Sequence, residues 1–145
     1  MKFHEVDAVQ WPELKTYFDT CLLPVTGLEG SEGPLGATQA LERLQEALDM
    51  IEAPYKGRVV TYPTLHYITG VNANEQAEAL AEQIKASGFK HVIVLTLLTE
   101  AAEWETEHID LLIALDWTQW VSEAELVRSS ISQHIQRLWY PVDEL

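Results

Sequence analysis

The chain has 145 residues, 47% of them apolar, and a net charge of −14 with a pI near 4.5. That length suits one domain with a proper core, and the apolar content excludes disorder as the main state. A surface this acidic is repelled by phosphate backbones and anionic lipid, which argues against nucleic-acid and membrane-surface binding.

The opening residues, Met1 to Asp7, carry acids and no apolar core, so no signal peptide is expected there. Pro12 suits the first turn of a helix, with Leu14, Tyr17 and Phe18 on one face. Cys21 to Val25 reads as a first buried strand. Its lone cysteine can form no internal disulfide and fits a packing role in a reducing compartment, hence a cytoplasmic protein. The segment from Leu22 to Gly36 then runs from strand through a Gly/Glu loop towards a helix over Thr38 to Glu52, whose stripe is Leu41, Leu44, Leu48 and Ile51.

Arg58 to Tyr62 is the second strand, stopped by Pro63, and His66 to Gly70 is the loop at its carboxyl end. Asn72 with Glu75 has capping-box spacing and opens a helix that buries Ala77, Leu80, Ala81 and Ile84. Ser87-Gly88-Phe89 has the pattern of a Schellman ending. His91 to Thr96 is the third strand. Even extended to Leu98, this apolar run is far short of a membrane span. Thr99 to Thr106 reads as one or two acidic helical turns, and Asp110 to Leu115 as a fourth strand. Ser122 with Glu125 makes a second capping-box pattern, opening a helix to about Trp139 with Ala124, Val127, Ile131, Ile135 and Leu138 inward.

Strands alternating with amphipathic helices predict a single three-layer α/β domain of Rossmann-like type over residues 1–145. About four mostly parallel strands carry helices on both faces through right-handed crossovers. In such a domain ligands bind outside the carboxyl ends of the strands. The first loop offers Glu29 and Glu32 there, and His66 ends the neighbouring strand. Two carboxylates and an imidazole can bind a divalent cation or act as acid and base. The simpler alternative is that Glu29 and Glu32 are solvated acids favoured by a helix start. Glu103, Glu105, Glu107 and His108 follow the third strand, and Glu105 and His108 would share a helical face.

Ser31 has neither a neighbouring histidine nor a nucleophile elbow. Gly27 to Gly33 is no phosphate loop, because its acids repel phosphate. Trp117, Trp120 and Trp139 are candidates for an interface or for packing the last helix on the sheet, whose exposed edge a second copy could cover.

Three segments together carry a resemblance: Tyr17-Phe18-Asp19-Thr20-Cys21-Leu22-Leu23-Pro24, Tyr55 through Tyr67, and Gly88-Phe89-Lys90-His91-Val92-Ile93-Val94-Leu95-Thr96. They resemble the YpiF-like family of uncharacterised proteins from Bacillus-type bacteria, a likeness that implies no activity and no catalytic residues. Trp11-Pro12-Glu13-Leu14, Leu23-Pro24-Val25 and Pro63-Thr64-Leu65 are more distantly similar to the creatininase-type metal-dependent amidohydrolases.

Of that family's Glu-x-His-Gly loop, only Glu29 is matched. Ser31 stands at the histidine position, and the later aspartate falls near Thr38 or Gln39. Its Asn-Gly-His-Gly-Gly-Asn stretch is replaced by Leu97-Leu98-Thr99-Glu100. The resemblance therefore implies a creatininase-like scaffold without its metal ligands, and no metal or other cofactor is expected. The function expected is a non-catalytic binding or accessory module, with an unidentified protein partner or self-association. The alternatives are a metal-dependent amidohydrolase with a rearranged site at Glu29, Glu32 and His66, or a homo-oligomeric structural subunit.

Overall fold

The computed structural model describes residues 1–65 and 72–141. Among these, β1 (Thr20–Val25), β2 (Val59–Thr61), β3 (His91–Thr96) and β4 (Leu111–Ala114) form one parallel sheet in the order β2-β1-β3-β4. The helices are α1 (Trp11–Leu14), α2 (Gly33–Glu52), α3 (Ala73–Ala86), α4 (Trp117–Ser122) and α5 (Ala124–Trp139), with 3-10 turns at Phe3–Glu5 and Thr99–Glu103. No helix of the described residues is long and apolar enough to cross a membrane.

β1 and β3 are apolar on both faces because both faces are covered, as parallel sheets require. Their alternate side chains feed two cores. Leu22, Ile93 and Leu95 meet Leu44, Leu48 and Ile51 of α2 and Val127, Ile131 and Ile135 of α5. Cys21, Leu23, Val92 and Val94 meet Ala77, Ala81 and Ile84 of α3. The chain steps from β1 outward to β2 through α2, then back past β1 to β3 through α3. Opposite steps on opposite faces keep one crossover hand and put the reversal between β1 and β3.

Pro24 sits in a central strand at no cost to the ladder. Its carbonyl accepts from Leu65 N at 2.9 Å, so its missing N–H points to the same side, where β2 has already ended at Thr61.

The expected fold class is the one observed, and several boundaries differ. α2 starts at Gly33, five residues before Thr38, because Pro34 fills the first turn where no N–H is needed. α1 ends at Leu14, so Tyr17 is exposed rather than sharing its apolar face, and Leu41 on α2 is 43% exposed. Asn72 caps α3 as its spacing predicts, its Oδ1 accepting from Glu75 N at 3.2 Å. Past Ser87, Gly88 has φ +124 and donates to Lys85 O, while the Ser87 hydroxyl covers the Ile84 carbonyl at 2.6 Å.

The second capping box is not formed. Ser122 ends α4, and its hydroxyl bonds back to Thr118 O and Gln119 O. The cap in this region is Asp116, whose Oδ1 accepts from Thr118 N and Gln119 N and so creates a helix ahead of α5.

Candidate functional site at the carboxyl end of the sheet

The reversal between β1 and β3 makes the carboxyl ends of these strands the place where such a sheet opens a crevice. Both strands finish in the same way. Thr26 Oγ1 accepts from Leu28 N, and Thr96 Oγ1 accepts from Leu98 N, each at 3.1 Å. The first turn bends through Gly27, with φ +76, and the second turns Leu98 onto it. A Cβ at Gly27 would lie 2.8 Å from Leu98 Cγ and closer still to Cδ2. Glycine is needed there both for its backbone conformation and for the space that Leu98 takes. The mouth between the two central strands is thus packed by an aliphatic side chain that also joins the α3-side core.

Glu29 and Glu32 are both exposed on the loop beyond. The Glu32 carboxylate folds back on its own loop, accepting from Glu29 N and Gly30 N at 2.9 Å each. These backbone donors, Glu29 N first, hold its carboxyl below the usual carboxylate range. Gly30, with φ +100, gives the turn the shape that presents both amides. Glu32 therefore closes its loop through both oxygens just before α2. His66 lies outside the described residues. Among the described residues, the hydroxyl of Thr61, buried at the end of β2, has no hydrogen-bond partner.

Of the one or two helical turns expected after β3, only the 3-10 turn at Thr99–Glu103 is present. The 3-10 turn ends at Glu103, so Glu105 and His108 share no helical face. Instead the segment is strapped to α3. With its amide oriented to match donor to acceptor, the Asn74 side chain donates to Glu105 O and accepts from Glu105 N, at 3.0 Å each. The Glu78 carboxylate accepts from Glu107 N (3.0 Å), His108 N (2.7 Å) and Ile109 N (3.3 Å). Burial raises its pKa, but these donors and the nearby His108 outweigh it and hold the carboxyl low. Consecutive amides of this kind form an anion nest, here filled by the protein's own carboxylate. His108 Nε2 stands 3.7 Å from Glu82. No group of three or more His, Cys, Asp or Glu among the described residues is placed to hold a metal ion.

The tryptophans split between the two ends of the sheet. Trp117 and Trp120 meet edge to face at 5.2 Å on α4, Trp120 in the core and Arg43 lying over Trp117. Trp139 lies at the amino end, edge to face with Tyr55 at 4.9 Å. Its Nε1 donates to the buried Thr20 hydroxyl at 2.9 Å, and Arg58 stacks on its ring. Arg58 also grips Asp19 through Nε and Nη2 at 2.9 and 3.1 Å. Burial opposes ionisation of Asp19, but Arg58 and the Thr20 hydroxyl hold its pKa low. Nothing in the local sequence points to this network, since Asp19 and Arg58 lie 39 positions apart.

No curated protein and no solved structure matches the chain. A family model described as "Protein of unknown function (DUF2487)" matches residues 9–138, and the chain belongs to that family.

Proposed function

We propose that this protein is a non-catalytic binding module, an accessory to a protein partner. In this reading it is of the YpiF-like kind, on a creatininase-type scaffold whose metal centre is lost. The observation that carries the reading is Leu98 on Gly27, at the mouth where an α/β domain of this order would hold its ligand. It falls in the stretch where the amidohydrolases carry their Asn-Gly-His-Gly-Gly-Asn motif. The turning of Glu32 onto Glu29 N and Gly30 N supports it, since it gives that carboxylate a structural role in closing its own loop.

The test is metal analysis of the purified protein together with turnover of amide and cyclic amidine substrates in added zinc or manganese. The expected result is no stoichiometric metal and no turnover. Turnover abolished by Glu29→Gln or Glu32→Gln would instead establish the hydrolase with a rearranged site. A stable oligomer by light scattering, lost on substituting Trp117, would establish the structural subunit.

A further inference from the structure

The two edges of the sheet are finished differently. The outer edge of β2 is covered by the chain's own first residues: Lys2 bridges Thr61 in parallel, Thr61 N donates to Met1 O at 2.7 Å, and the terminal ammonium donates to Val59 O. Among the described residues β4 pairs only with β3, so its outer edge carries no ladder. A groove of about 420 Å³ runs beside that edge from Leu111 to Asp116, under Leu126, Val127, Ile131 and His134 of α5. Leu126 is 62% exposed above it, although α5 is otherwise turned inward by Val127 and Ile131.

We propose that this edge and groove take up an extended, basic segment of a partner protein as a fifth strand, which rests on the reading of the protein as a binding module. An added strand satisfies the open backbone groups, and its alternate side chains enter the groove beside Leu126, where Ile113, Val127 and Ile131 offer apolar contact and Ser130 and His134 polar contact. The groove follows six residues of the chain, which sets the length of the segment.

Charge selects the occupant. Two copies of this chain bring −14 against −14, whereas a segment carrying Lys or Arg meets an acidic protein, with the exposed Asp116 at the groove's end. Asp116 stays available to an incoming cation while it caps α4, since its contacts there are backbone amides.

The probe is a blocked six-residue peptide of alternating lysine and valine, titrated into the intact protein by amide NMR with hydrogen exchange. The expected result is a dissociation constant below about 1 mM that weakens with salt, with new protection confined to residues 111–115. Leu126→Asp, a surface change, should weaken binding at least about tenfold, as should replacing the lysines by glutamates. No binding, equal binding by the glutamate peptide, or equal binding by Leu126→Asp would overturn the proposal. So would a dimer that already buries this edge. If the peptide fails and no turnover is found, the docking surface alone is wrong; turnover would instead remove the binding-module reading itself.

Discussion

Glu78→Gln tests the strap that holds the segment between β3 and β4. The carboxylate collects three backbone donors, two of them at 2.7 and 3.0 Å and the third, from Ile109, at 3.3 Å. A charge-assisted bond contributes about 1.5–3 kcal/mol when buried, but Glu107 N is at the surface and water can replace its acceptor. Counting roughly 1 kcal/mol for each of the two short bonds gives a loss of about 2 kcal/mol at pH 7.

The sign of the pH dependence follows from the pKa direction. The folded-state carboxyl is held below its ordinary range, so the stabilisation is complete above that range and is lost as pH falls through the folded pKa. The difference between wild type and Glu78→Gln should therefore be full at pH 7 and shrink as the carboxylate of the wild type protonates. Urea unfolding at a series of pH values measures it. A difference under about 0.5 kcal/mol at pH 7, or one unchanged at low pH, refutes the assignment.

Gly27→Ala should cost about 2–4 kcal/mol, from the left-handed backbone and the collision with Leu98. Adding Leu98→Ala should return part of that loss, and strict additivity in denaturant melts would show that the two residues do not meet. Asp116→Ala should cost about 1 kcal/mol as a lost cap, while Ser122→Ala stays within about 0.5 kcal/mol; the reverse order would restore the capping box at Ser122. Burial pushes the Cys21 thiol up to about 12. Thiol reagents at neutral pH should thus label it only at the rate of unfolding, and rapid labelling of native protein would contradict its burial.

The sheet and its layers were legible because burial on both faces writes continuous apolar runs, as in Val92 to Leu95, and the helices write stripes such as Ala77, Ala81 and Ile84. Helix starts were less so. Gly33-Pro34 looks like loop chemistry, yet proline suits a first turn, and nothing local says which role applies. Ser122 followed by Glu125 fits a cap equally well when the serine is ending a helix and bonding backwards. The candidate site was legible as a loop but not as a geometry. That Glu32 would fold onto Glu29 N depends on the turn at Gly30, and that Leu98 would lie on Gly27 depends on two strands far apart in sequence being neighbours. Glu78 was silent for the same reason: its partners are backbone amides, which carry no residue-specific signal.

The bond from Trp139 to Thr20 joins residues 119 positions apart. A ribosome releases β1 early, but the hydroxyl at its head waits for its donor until the last turn of α5 has emerged. This latch cannot shut before Trp139 has emerged, so nascent chains stopped short of it would leave the amino end of the central strand uncovered and open to proteases or chaperones.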